Sequence, residues 1–309
     1  MATNTKASAA ASGSGPNVQT ASIALAARMP KLCPGAIRRY DLNTTLSDDE
    51  RAALEATIQG TPAWKGARNM LITSSWAKTA ANIDTTFVDT QRFSGALYSW
   101  LVLTGRLFEE DDANVTRQAR QRMDHGTMME PYIRQAYEKV LQQWYEDERI
   151  AIRQSGLQID RQCNIRACSP DGTIVYPNGT TECLEIKSPY SRLSSELYAG
   201  HMAQLQWNMH VMNVEVAHYV VLHAKKVPRQ RKFHYNGAYV WLVKRNWKYF
   251  DETWSRTSAV FYSASKDVVP QLSSITSDFP NIHTVARRYE LPEIEKPFNE
   301  ALASVGLLG

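Results

Sequence analysis

The sequence predicts an α/β fold in which a central mixed β-sheet is flanked by helices. Three observations carry that prediction. Thr173-Ile174-Val175-Tyr176, the turn Pro177-Asn178-Gly179 and the run Thr181 to Lys187 read as a hairpin, because Asn-Gly favours the positive φ of a tight turn. Further strand patterns lie at 214–223 and 239–243. Around these, apolar residues recur at helical spacing over 93–104, 116–147, 197–212 and 246–262.

The hairpin also carries the most reactive residues. Side chains alternate along a strand, so Glu185 and Lys187 share one face and Ile186 takes the other. Asp171, fourteen positions before Glu185 in a Ser-Pro-Asp-Gly turn, stands at the open end of the hairpin and can join that face. Two carboxylates and an ammonium would converge there. Oxygen ligands without sulfur or nitrogen suit Mg²⁺, with Mn²⁺ as a substitute, better than Zn²⁺. A cation so held can polarise a phosphoryl oxygen and activate water for phosphodiester hydrolysis. The ordinary reading of the same stretch is a hairpin with solvated edge charges.

Composition bounds the alternatives. The chain has 309 residues, 43% hydrophobic and 21% charged, with a formal net charge of +4, which is the profile of a globular protein with a sizeable core. Charge is unevenly spread: Lys225, Lys226, Arg229, Arg231 and Lys232 fall within eight residues, and acids gather at 48–50 and 109–112. The basic run is either a solvated loop or a phosphate-tracking patch. Four cysteines form no Cys-x-x-Cys pair, which points to free thiols in a reducing, intracellular compartment, nuclear or cytoplasmic. No apolar run approaches the roughly 20 residues of a membrane span.

Taken in order, residues 1–45 form an Ala/Ser-rich basic tail expected to be disordered; its composition also fits an organellar transit peptide. Order is expected from 46 to 265. Ser47-x-x-Glu50 is a capping box opening a helix that Gly60 closes. Trp64 and Arg68 share a helix face, and Ser75 can cap the next helix. A helix N-terminus with a hydroxyl and a nearby guanidinium suits a phosphate, whereas the plain alternative is a packed Trp beside a surface Arg. In the long helical stretch 116–147, Gly126 and Pro131 predict a kink near Glu130. That acid is either a helix-start charge or a third carboxylate aimed at the site. Met202, Leu205, Met209 and Met212 give the next helix an apolar face. Residues 266–309, with Pro280, Pro292 and Pro297, read as a loosely structured tail.

Four blocks stand in one order: Trp64-x-x-x-Arg68 with Ile72-Thr73-Ser74-Ser75; Gly126-x-x-x-Glu130-Pro131; Ser169-Pro170-Asp171-Gly172 with Glu185-Ile186-Lys187; and Met202-Ala203-Gln204-Leu205-Gln206. Together they resemble the lambda exonuclease, or YqaJ-like viral recombinase, family of restriction-endonuclease-like nucleases. The likeness covers about residues 60–262. It implies a Mg²⁺-dependent nuclease of the restriction-endonuclease-like fold, acting 5′→3′ on linear double-stranded DNA ends and leaving 3′ tails for recombination or repair. It implies that Asp171, Glu185, Glu130 and the Ile186 carbonyl hold metal, and that Lys187 orients or deprotonates the attacking water. Gln204 or Gln206 would support that water or the scissile phosphate, with Gln204 preferred at the chemistry and Gln206 toward the DNA. Arg68, Ser75 and Ser169 match a pocket for a 5′-phosphate. A homotrimer around DNA and a single-strand-annealing partner are further implications. An endonuclease of the same fold and a catalytically inactive DNA-binding module are the competing readings. The segment 225–232 and the tail after 263 have no clear counterpart in the family.

Overall fold

The computed structural model describes residues 46–68, 71–83, 95–104, 106, 116–193, 196–270 and 282–309. The expected basic tail 1–45 and the acidic cluster 109–112 lie outside the described residues.

The chain opens with α1 (Asp48–Glu55), where Ser47 accepts from the Glu50 N–H and the Glu50 carboxylate accepts from the Ser47 N–H. The capping box is therefore present, although the helix ends five residues before Gly60. Then follow α2 (Pro62–Arg68), β1 (Ile72–Thr73), α3 (Ser74–Ala80), α4 (Gly95–Leu103) and α5 (Arg117–Trp144). Strands β2 (Ala151–Arg153), β3 (Gln158–Ile159), β4 (Arg166–Cys168), β5 (Gly172–Val175) and β6 (Thr181–Lys187) come next. The rest is α6 (Ala199–Met212), β7 (Val216–Lys226), β8 (Phe233–Lys244), α7 (Trp247–Ser265), α8 (Ile282–Val285), β9 (Ala286–Glu290), a 3₁₀ turn Pro292–Ile294 and α9 (Glu295–Ala303).

Six strands form one mixed sheet in the order β2-β5-β6-β7-β8-β9, and β1-β4-β3 form a second. The predicted α/β class, a mixed sheet flanked by helices, is what the chain adopts. Among the described residues, only β6 and β7 pair in parallel within the larger sheet, joined through α6. One face of that sheet buries Ile174, Leu184, Ile186 and Val220 under Ile133 and Tyr137 of α5. The other buries Cys183, Tyr219 and Val221 under Met202, Leu205 and Met209 of α6. The Met residues are core, as their spacing predicted.

Two expectations are corrected. Helix α5 runs unbroken from Arg117 to Trp144 with Pro131 inside it. Proline removes one helical N–H, but Thr127 and Pro131 are exposed, so water can satisfy the orphaned carbonyl. The C-terminal region is not a loose tail in its described part. β9 pairs antiparallel with β8, and Leu291, Ile294, Phe298 and Leu302 are fully buried in the core against α5. Pro292 opens the 3₁₀ turn and Pro297 sits in the first turn of α9, positions where a missing N–H costs nothing. Pro292 and Pro297 therefore start helical turns, and Pro280 lies outside the described residues.

Candidate active site

The link between the two sheets builds the site. β4 ends at Cys168, β5 begins at Gly172, and Ser169-Pro170-Asp171 crosses between. A Cβ on Gly172 would lie 2.9 Å from Ile152 Cγ2 and 3.2 Å from Leu184 Cδ2, so a larger residue would force these side chains to shift where the chain enters the hairpin. That close entry sets Asp171 against β6: its Oδ2 accepts from the Ile186 N–H at 2.7 Å. Ile186 itself packs into the opposite face. Glu185 is buried at 2% exposure. Its Oε1 accepts from Lys187 Nζ at 2.5 Å and from Gln204 Nε2 at 2.7 Å. The predicted pairing of Glu185 with Lys187 on one strand face is present.

Glu130 reaches the same volume from the middle of α5, not from a helix start. Arg134, one turn on, lies 3.4 Å from Glu130 Oε1 and donates through Nη1 to the Asp171 carbonyl at 2.7 Å. Burial and the charge of Glu185 push the Asp171 carboxyl well above the usual range. Burial also raises Glu130, with Arg134 opposing and Glu185 adding to the shift. Burial would lower the Lys187 ammonium, but Glu185 and Asp171 outweigh it and hold its pKa high. Lys187 is thus an N–H donor and a positive charge in this arrangement.

The two glutamines separate cleanly. Gln204 points to Glu185. Gln206 is completely buried, donates to the Lys244 carbonyl at 2.9 Å and accepts from the Asn246 N–H at 2.7 Å. It ties α6 to the β8–α7 connection and is not brought together with Glu185 or with the Arg68–Ser75–Ser169 group. Two residues near the site were missed. Asn208 donates to Glu185 Oε2 at 3.3 Å, and Arg134 bridges Glu130 to the Asp171 backbone. Both lie four positions after a residue already singled out, Gln204 and Glu130, which is the signal that would have found them.

The end-pocket residues also assemble. Arg68 stacks 4.3 Å over the Trp64 ring and donates to Ser75 Oγ at 2.8 Å; Thr73 Oγ1 is 3.1 Å from that oxygen. Trp64 Nε1 donates to Ser169 Oγ at 3.2 Å. The parallel pairing of β1 with β4, Thr73 opposite Ala167, brings these elements together. Ser75 is not the helix cap: Thr73 holds that position and Ser75 lies in the first turn.

The donor chemistry fits a hard divalent cation. Three carboxylates face two cations, all their donors are oxygen, and burial with mutual repulsion already drives two of them toward protonation. As they stand, among the described residues no three His, Cys, Asp or Glu side chains are placed to hold a metal; Lys187 and Gln204 close on Glu185 instead.

Residues 63–215 match the YqaJ-like viral recombinase domain, the family that the ordered blocks resemble. Two solved structures of LHK-Exo, an alkaline exonuclease from Laribacter hongkongensis, one of them in complex with dAMP, are similar. Each shows 16% identity and a TM-score of 0.42, covering 67% of this chain and 94% of that one. No curated protein matches the sequence. The family and the acidic site with its lysine support a nuclease. Among the described residues, no helix is long and apolar enough to cross a membrane.

Proposed function

We propose that the protein is a Mg²⁺-dependent deoxyribonuclease acting as a 5′→3′ exonuclease on linear duplex ends, leaving 3′ single-stranded tails for recombination or repair. The observation that carries this reading is the shared turn. Ser169, bonded to the Trp64–Arg68–Ser75 constellation, lies two residues before Asp171, which is bonded to the Glu185–Lys187 strand. Phosphate capture and phosphate cleavage would then sit side by side.

Glu130, Asp171, Glu185 and the Ile186 carbonyl would hold Mg²⁺, or Mn²⁺ in its place. When bound, the cation would supply charge neutralisation at the phosphoryl oxygen and a more acidic water. The chain's own groups do the rest. Lys187 and Gln204 leave Glu185 and turn their N–H donors to the attacking water and the scissile phosphate. Asn208 keeps Glu185 in place, and Arg134 offsets part of the negative charge. Arg68, Ser75 and Ser169 seat the 5′-phosphate end. A ring-shaped homotrimer around the duplex and a single-strand-annealing partner for the 3′ tail complete the proposal.

Linear duplexes with 5′-phosphate or 5′-hydroxyl ends, compared with closed circles, test it. The expected order is 5′-phosphate fastest, 5′-hydroxyl slower and circles uncut. Rapid cutting of circles would replace the reading with an endonuclease of the same architecture.

A further inference from the structure

A basic arm projects from the catalytic strand pair. β7 runs parallel to β6 with Lys187 opposite Val221, then continues beyond β6 to Lys226 before β8 returns from Phe233. At about 3.3 Å per residue, the arm reaches on the order of 15 Å past Lys187. Its outer end carries Lys225, Lys226, Arg229, Arg231 and Lys232, all exposed. No acid occurs between Glu215 and Asp251, and among the described residues none of the five cations has an ion-pair partner.

The arm is ordered by its own bonds and braced at its root. Val227 N–H donates to the Lys232 carbonyl at 2.8 Å and Gln230 N–H to the Val227 carbonyl at 3.2 Å, closing the tip. Phe233 N–H donates to the Leu307 carbonyl at 2.8 Å, and Gly309 N–H to the Phe233 carbonyl at 3.1 Å. The last residues of the chain thus clamp the root of the arm.

The same root touches the active site. The His125 ring of α5 lies 5.6 Å from the Phe233 ring, and its Nε2 is 3.3 Å from the hydroxyl of Ser188, the residue after Lys187. Five residues further along α5, about 7.5 Å on the helix axis, stands Glu130. In the other direction α5 exposes Arg117, Arg120 and Arg122. This exposed basic surface, the arm tip and the start of α5, includes one exposed acid, Asp124. Most of it lies beyond residue 215, outside the segment matched by the family.

We propose that this arm, with the exposed arginines at the start of α5, grips the phosphate backbone of duplex DNA beside the cleavage site. The inference rests on DNA being the substrate. A backbone carrying one charge per about 1.7 Å matches an unpaired row of cations, and continuity with Lys187 and Ser188 makes the same polymer the occupant. An acidic protein segment would need no such continuity.

The test is equilibrium binding of a linear duplex, in EDTA so that none is cut, across a salt series. Wild type is compared with the triple variant Arg229→Gln, Arg231→Gln, Lys232→Gln. The plot of log K against log salt should lose about 2–3 units of slope, since each phosphate contact contributes about 0.9. Affinity at physiological salt should fall roughly tenfold or more. The cleavage rate at saturating duplex and low salt should hold. The pair Lys225→Gln, Lys226→Gln should lose about 2 units and serves if the triple variant does not fold. An unchanged slope in a folded, active variant overturns the arm and leaves the nuclease reading standing. Wild type that binds duplex steeply but cuts none, with the slope lost in the variant, supports the arm and overturns the nuclease reading. A variant that keeps its DNA slope yet loses binding to polyglutamate overturns the arm in favour of an acidic protein partner.

Discussion

Helix α6 touches two charge clusters that behave in opposite ways. At its C-terminal end, His210 Nε2 lies 3.2 Å from Asp160 Oδ2, and Arg166 Nη2 lies 2.7 Å from the same oxygen. Phe250 stacks on His210 with ring centroids 3.5 Å apart, and Arg166 lies over Phe250 and Trp254. Burial pushes the Asp160 carboxyl up, but the His210 bond, the Gln162 N–H and Arg166 bring it net below its ordinary value. At the other cluster, reached by Gln204 and Asn208, the Asp171 and Glu130 carboxyls are raised. Both clusters are buried and both contain acids and cations. The difference is the count of partners. Asp160 is a lone acid between the Arg166 guanidinium and the His210 ring, whereas Asp171, Glu130 and Glu185 outnumber Lys187 and Arg134. An acid beside its counter-charge helps hold a fold together; acids crowded on one another strain it.

The contrast can be broken at either end. The largest expected effect is on activity: Glu185→Ala or Lys187→Ala should reduce cleavage per folded molecule by on the order of a hundredfold or more. Unaltered cleavage would show that the chemistry lies elsewhere. Next in size is stability. Asp160→Asn leaves Arg166 buried without its partner and should cost about 3–5 kcal/mol, read as a lower denaturant midpoint with cleavage per folded molecule intact.

Asp171→Asn should do the reverse, abolishing cleavage in Mg²⁺ and raising the thermal midpoint at neutral pH in metal-free buffer. The sign follows from linkage. An acid raised by folding destabilises the native chain at neutral pH and stops doing so as pH falls through its folded value. The advantage of Asp171→Asn over wild type should therefore shrink on acidification. Asp160 contributes in the opposite sense: its stabilisation is present above the ordinary 3.8 and is lost as pH falls through its lower folded value. A midpoint advantage for Asp171→Asn that grew with acidification would contradict the crowding.

Smaller effects sharpen the roles of neighbours. Gln204→Ala should slow cleavage with little loss of stability, and Gln206→Ala should lower stability with cleavage per folded molecule kept. Arg68→Ala should mainly erase the preference for a 5′-phosphate end, measured as the rate ratio between phosphorylated and unphosphorylated duplexes.

Much of this was legible in the residues because it is local. Alternation placed Glu185 and Lys187 together, Asn178-Gly179 closed the hairpin, and Trp64 with Arg68 shared a helix face. What the sequence hid was long-range. Gln204 and Gln206 sit two apart on one helix, and only the docking of α6 decides which meets Glu185 and which meets Lys244. Pro292 and Pro297 masked a helical spacing, Leu291, Ile294, Phe298 and Leu302, that buries the C-terminal region against α5. Arg134 and Asn208 were one helical turn from noticed residues, but nothing in their own type announced a role. The acidic count at the site became meaningful only when Glu130 arrived from a helix some forty residues upstream of Asp171.

The central claim is that these acids are crowded because they are built for a cation. Thermal unfolding measured against Mg²⁺ concentration tests it most directly, since a ligand that binds the native chain raises its midpoint by mass action. Wild type should gain stability steadily with Mg²⁺, and Glu185→Ala should gain little. A wild-type midpoint that ignores Mg²⁺ and Mn²⁺, or one that rises equally in Glu185→Ala, would contradict the account.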